Sequence, residues 1–325
     1  MRTRKLGNDG LAVPEIGLGC WQLGGGWGKD WDNEVAQQIL QQSYDAGVRF
    51  IDTADVYGDG ASERSIGQFL KTHPDITVAT KLGRGAMYPS GYTRDAVRKA
   101  TQDSLQRLGT DKLDLTQLHC VPPAVLRDGK IFDWLREMRD DGLISRFGAS
   151  VETVEEGLVC LEQEGLTSLQ IIFNIFRQKP LQELLPKALE KGVGIIVRLP
   201  LASGLLSGKM RSDTVFAAAD HRNFNRDGQQ FNVGETFAGL EFATGVALSE
   251  QVAAFVPGTM NMAQMALRWL LDHEAVSVVI PGASNTAQAQ ANASASALAP
   301  LPAAVHQGLA DLYRDHVHAA IRGPY

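Results

Sequence analysis

The pattern that most limits the fold is an eightfold alternation of short apolar runs with longer amphipathic stretches. The runs are IGLGC from Ile16, VRFIDTA from Val48, ITVATKL from Ile76 and KLDLTQLHC from Lys112. ISRFGAS from Ile144, SLQIIFN from Ser168, VGIIVRLPL from Val193 and VSVVIPGAS from Val276 complete the set. Between them lie helical patterns. NEVAQQILQQSYDAG is expected to start at Asn33 and stop at Gly47, and TRDAVRKATQDSLQRLG to be capped by Thr93. Strands that are apolar nearly throughout suit a parallel sheet with both faces covered. Eight β/α repeats close such a sheet into a barrel. The expected fold is therefore α/β, a (β/α)8 TIM barrel, as a single domain over residues 1–325. An N-terminal β-hairpin is expected around Asn8-Asp9-Gly10. The one long excursion, Arg211 to Gly258, is read as an irregular extended loop after strand seven.

Composition narrows the function by exclusion. A net charge of −6, with no basic stripe, argues against a nucleic-acid partner or an anionic membrane surface. No run nears the roughly 18 apolar residues of a membrane span, so no membrane partner is expected. Basic residues open the chain without an apolar stretch behind them, so no signal peptide and a cytoplasmic location are expected. Cys20, Cys120 and Cys160 lack disulfide or metal-ligand spacing. A metal-dependent barrel hydrolase would place His-x-His after the first strand, where this chain has Gly17-Leu18-Gly19-Cys20-Trp21. The remaining histidines, His221 among them, are expected away from that place, and no metal site is expected.

Barrel strands deliver the residues at their C-terminal ends to one mouth. Asp52 and, one turn on, Tyr57 follow the second run; Lys81 ends the third and His119 the fourth. Four such groups on adjacent strands suit a tuned proton donor. An ammonium beside a phenol favours the phenolate and lowers its pKa, an aspartate holds the ammonium, and a neutral histidine orients a substrate oxygen or relays a proton. Such a group protonates an alkoxide as hydride reaches a carbonyl carbon. Tyr57 is thus the expected acid, Lys81 its partner and Asp52 the supporting carboxylate. Trp21, Tyr88 and the Cys120–Pro123 loop are expected to wall the substrate pocket.

FIDTADVYG, ATKLG, RLGTDKLDLTQLH and VIPGAS, in that order, resemble the aldo-keto reductase family over essentially the whole chain. The resemblance implies a catalytic tetrad of Tyr57, Lys81, Asp52 and His119. It also implies a nicotinamide dinucleotide, NADP (NADPH) first, bound without a Rossmann fold; LGGGWG from Leu23 opens no βα unit. The implied partner is a small-molecule carbonyl or alcohol substrate, with direction and oligomeric state left open. Gly19, Cys20 and Trp21 would line the cofactor site, with Asp52 behind them. Ser150 and Gln170 would hold the carboxamide, and Asn292 the adenine. Loops after strands seven and eight suit phosphates: Pro200, Leu201, Ser203, Gly204, Leu206 and Lys209 from one, Gly282 and Ser284 from the other.

Three departures from the family pattern bear on this. Val151 follows Ser150 where relatives carry an asparagine, so one carboxamide contact is expected to be missing. Arg198 stands where a tyrosine often stacks on the nicotinamide, placing a cation near a ring that is itself cationic when oxidised. Gln288 stands where a cation often grips the 2′-phosphate, and no Lys or Arg occurs from Pro281 to His306, which leaves NAD(H) open. The alternative is a cofactor-binding regulatory subunit of the same fold acting through a protein partner.

Overall fold

A computed structural model of the chain describes residues 1–25 and 27–325; Gly26, inside the glycine-rich loop from Leu23, lies outside the described residues. Strands β1 (Thr3–Leu6) and β2 (Leu11–Pro14) pair antiparallel with Leu6 opposite Leu11. The turn between them is possible because Gly7 and Gly10 take φ near 80° and 78°. Eight strands follow: β3 (Leu18–Gly19), β4 (Phe50–Asp52), β5 (Thr77–Leu82), β6 (Leu115–His119), β7 (Phe147–Ser150), β8 (Leu166–Ile172), β9 (Gly194–Arg198) and β10 (Val276–Val279). They form one parallel sheet in sequential order from β3 to β10. Its two edges are bonded to each other, Gly17 N donating to Val279 O at 2.9 Å and Gly19 N to Pro281 O at 3.1 Å. The architecture is of the TIM-barrel type.

The helices are α1 (Asn33–Asp45), α2 (Ala61–Leu70), α3 (Arg94–Leu108), α4 (Pro123–Asp128), α5 (Lys130–Asp140), α6 (Val154–Leu161), α7 (Leu184–Lys191), α8 (His221–Phe224), α9 (Phe242–Ala253), α10 (Met262–Leu271), α11 (Thr286–Ser294) and α12 (Ala303–Leu312). Their starts follow local chemistry. Asp32 accepts from the Glu34 and Val35 amides at the head of α1, and Thr93 accepts from Ala96 N at the head of α3. Thr153 with Glu156 and Asn261 with Gln264 form capping boxes for α6 and α10.

Two cores result. A small inner one joins Leu6 and Val13 to Phe50, Ala79, Leu115, Ile196, Val278 and Ile280 inside the sheet. Leu6 reaches it beside Gly194, at the start of β9, where any Cβ would stand 2.5 Å from Leu6 Cδ1. Leu6 therefore packs beside the start of β9, away from the strand C-termini. A second, larger core lies between the sheet and the helices.

The 211–258 excursion is more ordered than its composition suggests. It contains α8 and the whole of α9, which buries Phe242, Val246, Leu248 and Val252. Ala243, Thr244 and Ala247 occupy part of the exposed face of α9, so its apolar stripe stands out weakly in the sequence. Helix α12 lies past the last expected helix, and α4, six residues long, begins where the expected Cys120–Pro123 loop ends.

Candidate active site

Parallel register brings the four candidate residues together. Asp52 ends β4, opposite Ala79 of β5; Lys81 of β5 lies opposite Gln117 of β6; and His119 ends β6, opposite Ser150. Tyr57 sits on the turn after β4. Lys81 Nζ donates to Asp52 Oδ1 at 2.5 Å, to Thr53 O at 2.8 Å and to Tyr57 OH at 3.3 Å. The second Asp52 oxygen accepts from Gln170 Nε2 at 2.7 Å and Gln117 Nε2 at 3.1 Å. The Tyr57 and His119 rings meet edge-on, centroids 5.8 Å apart. Their positions are set by backbone packing: a Cβ on Gly24 would stand 2.6 Å from the Tyr57 carbonyl carbon, and one on Gly58 2.3 Å from Gly24 O. The first loop therefore presses directly on the main chain that carries the phenol.

Burial dominates the electrostatics. Burial works against the charged form of Lys81, but the Asp52 carboxylate and the Tyr57 oxygen outweigh it, and the amine's pKa is raised. For Tyr57, burial raises the pKa, the Lys81 ammonium pulls it down, and Asp52 pushes it up again; the net direction is upward. The ammonium pulls the phenol in the direction expected from the sequence, and burial outweighs it. His119 is driven well below its ordinary value, first by burial and then by Arg84, Lys81 and Arg198, so its ring is neutral.

These groups open onto a cleft of about 1010 Å³. Of the sequence-predicted residues, Asp52, Tyr57, His119, Gly19, Cys20, Trp21, Gln170 and Arg198 line it. So do Pro200, Leu201, Ser203, Gly204, Lys209, Gly282, Ser284, Gln288 and Asn292. Lys81, Ser150 and Leu206 do not border the cleft, each being buried behind it. Several of the others already have internal partners. Ser203 Oγ donates to Glu235 O at 3.1 Å, and the Ser284 amide and hydroxyl both donate to Gln288 Oε1, at 2.8 and 2.9 Å. Asn292 Nδ2 donates to Gly282 O at 3.1 Å. Leu199 and Ser203, which line the cleft, take positive φ, as strained residues do at functional sites.

The substrate side differs from expectation. Tyr88 is 54% exposed and lies outside the cleft, as does the segment from Cys120 to Pro123. Trp21 is joined instead by Trp27, with ring centroids 5.5 Å apart, and by Phe231 at 6.0 Å. His221, expected far from the first strand's end, packs 4.6 Å from Trp21 and 4.3 Å from Trp27. Only the excursion's fold carries it there.

Sequence reasoning also missed an ionic cluster. Arg84 donates to Glu235 at 2.6 and 3.3 Å and to Glu152 at 3.2 Å; Arg198 Nη1 lies 3.5 Å from Glu235. Arg198 Nη2 donates to Val151 O at 3.2 Å. Cys120, Glu152 and Glu235 converge closely enough to suggest cation ligands. Both carboxylates, however, are taken up by the two guanidiniums. Among the described residues no helix is long and apolar enough to cross a membrane.

Residues 15–314 match the family model described as the aldo/keto reductase family. The chain is 29% identical over 304 residues to the uncharacterized oxidoreductase YqkF of Bacillus subtilis (strain 168), spanning 91% of each. It is 30% identical over 322 residues to a probable voltage-gated potassium channel subunit beta of Arabidopsis thaliana, spanning 93% of each. Among solved structures it resembles the holo form of the aldo-keto reductase AKR11C1 from Bacillus halodurans. The TM-score is 0.78 at 27% identity, over 100% of this chain and 98% of that one.

Proposed function

Because the chain belongs to the aldo/keto reductase family, a family of NAD(P)H-dependent oxidoreductases, we propose that it reduces an aldehyde or ketone to an alcohol, or runs the reverse, with Tyr57 as general acid. The observation that carries this reading is Lys81 Nζ lying between Asp52 Oδ1 and Tyr57 OH, at 2.5 and 3.3 Å, just behind the wall that Asp52 and Tyr57 give to a cleft of about 1010 Å³. Burial keeps the phenol protonated, so it holds a proton ready for an oxygen that becomes basic as the carbonyl is reduced. Lys81 then faces the phenolate left behind, and Asp52 with Thr53 O keeps the ammonium in place. Neutral His119 offers a ring nitrogen to the same oxygen.

The residues present fit a nicotinamide dinucleotide. The cleft runs from His119 to Asn292. His119 Nδ1, Arg198 Nε and Gln22 Oε1, on residues that line it, have no hydrogen-bond partner among the described residues. A reduced nicotinamide, when bound, supplies the hydride. In this reading Gly19, Cys20, Trp21, Gln170 and Arg198 surround the ring end. Ser203, Gly204 and Lys209 face the phosphates with Pro200 and Leu201, and Gly282, Ser284, Gln288 and Asn292 the adenosine. Ser150 and Leu206 support the site from behind. NADPH is the first choice, and KM values for NADPH and NADH decide between the two.

We extend the reading to a single domain over residues 1–325, with the hairpin closing the lower end of the barrel and the 211–258 segment covering the upper. The test is turnover of a carbonyl panel, 4-nitrobenzaldehyde included, followed at the reduced-nicotinamide absorbance, with Tyr57→Phe in parallel. Equal rates for the two proteins would overturn the assignment. The 30% likeness to a probable channel subunit favours one second reading, a regulatory subunit that binds cofactor. Cofactor binding without turnover across the panel would select it.

A further inference from the structure

Glu235 stands between two cations that border the cleft. It is 4% exposed, accepts Arg84 through both oxygens at 2.6 and 3.3 Å, and lies 3.5 Å from Arg198 Nη1. Glu152 completes the group, accepting from Arg84 at 3.2 Å and from Asn232 at 2.8 Å. Two guanidiniums and two carboxylates leave the cluster neutral as built. Outside these four, His221 bears on Glu235 and Arg177 on Arg198, while two nearer neighbours add no charge. His119 is held neutral by burial and the nearby cations, and burial raises the Cys120 thiol, keeping it protonated. Glu235 itself stays ionised: burial opposes its charge, but Arg84 and Arg198 bring its pKa to about 2.

On the reading proposed above, Arg198 lies against the nicotinamide. That ring carries a positive charge when oxidised and none when reduced. An unbalanced guanidinium beside it would repel one form only and bias the site toward the other. We infer that Glu235 is a positioning residue that cancels the charge of Arg198 beside the nicotinamide, and so sets how evenly the site holds the oxidised and reduced cofactor. The placement supports the role. Glu235 comes from the long segment after β9, and its main-chain oxygen accepts from Ser203 Oγ at 3.1 Å. One residue therefore links Arg84 past β5, Arg198 at the end of β9 and the proposed phosphate loop.

The test uses the two oxidation states as probes of equal shape and different charge. Dissociation constants for NADP+ and NADPH are measured by tryptophan-fluorescence titration on wild type, Glu235→Gln, Arg84→Met and the double variant. Glu235→Gln leaves one positive charge in excess and should raise the ratio of oxidised to reduced Kd about tenfold, as expected for one charge at close range in a partly screened site. Arg84→Met leaves one negative charge in excess and should move the ratio the opposite way. The double variant, neutral again, should return toward the wild-type ratio even if both affinities fall. A purely structural role would weaken both forms alike and leave the ratio fixed, and that outcome overturns the inference. If Glu235→Gln does not fold, the direction of the Arg84→Met shift decides alone. Wild-type protein that binds neither form would remove the functional reading itself; wild type that binds both with an unmoved ratio removes only this inference.

Discussion

The chemistry of Tyr57 begins with a proton that burial will not release to water. Its hydroxyl is neutral at neutral pH and faces an ammonium fixed by Asp52, so in the proposed role the group would donate only to an oxygen that needs the proton. Tyr57→Phe should lower kcat by roughly 10²–10⁴-fold while the Kd for NADPH, measured by fluorescence titration, stays within about twofold, since ring volume is kept. Two residues earlier, Asp55 bears a cost. Its Oδ1 is buried and has no hydrogen-bond partner among the described residues, and burial, followed by the charge of Glu63, raises its pKa to about 6. The folded protein therefore binds that proton more tightly than the unfolded chain. The stability linked to it is present at about pH 4 and is lost as pH rises through about 6. Asp55→Asn should raise the unfolding free energy by about 1–3 kcal/mol at pH 8 and leave it unchanged at pH 4, as checked by urea unfolding at both. At this scale the meeting of Asp52, Tyr57, Lys81 and His119 was legible because three adjacent strand ends carry them in short segments. Its electrostatic balance was not. Arg84 and Glu235 lie 151 positions apart, and nothing local in either neighbourhood announces the other.

Strands and the helices between them were legible for a physical reason: strands buried on both faces must be apolar throughout, and helices covering them must carry a stripe. The boundaries of α1 and α3 follow from Asp32 and Thr93, whose side chains close the first turns. The excursion after β9 escaped the same logic. Its helix α9 packs Phe242 on Phe216 and Phe237, behind an exposed face partly made of alanine, and the segment's link to Arg84 and Arg198 is ionic. That link has its own pH window. Burial opposes the Glu235 charge and the two guanidiniums outweigh it, so its pKa falls to about 2. The linked stability is held above the ordinary carboxylate range and is lost as pH drops through it toward 2. Glu235→Ala should leave two guanidiniums facing each other and cost about 3–5 kcal/mol of the segment's docking. The readout is faster amide exchange across residues 211–240, with the exchange of β5 to β8 unchanged; equal exchange in both proteins would show that apolar packing alone holds the segment.

For the whole molecule, the two ends of the barrel divide the labour. Leu6 and Val13 pack apolar side chains into the inner core toward one end, and the cleft with Asp52, Tyr57 and His119 opens at the other. Leu6→Ala should therefore cost about 2–5 kcal/mol through the cavity it leaves, visible as a lower urea midpoint. The kcat of the folded protein should not change, because the void opens far from the mouth. The seam has a further consequence. Gly19 and Gly282, paired across the two bonded edges, both face the cleft. A nascent chain has made Asp52, Tyr57, Lys81 and His119 well before the last strand, which arrives more than 150 positions after His119. On the proposed reading the cofactor seat is complete only once that strand is in place, and a ligand that spans the two edges acts as their clasp.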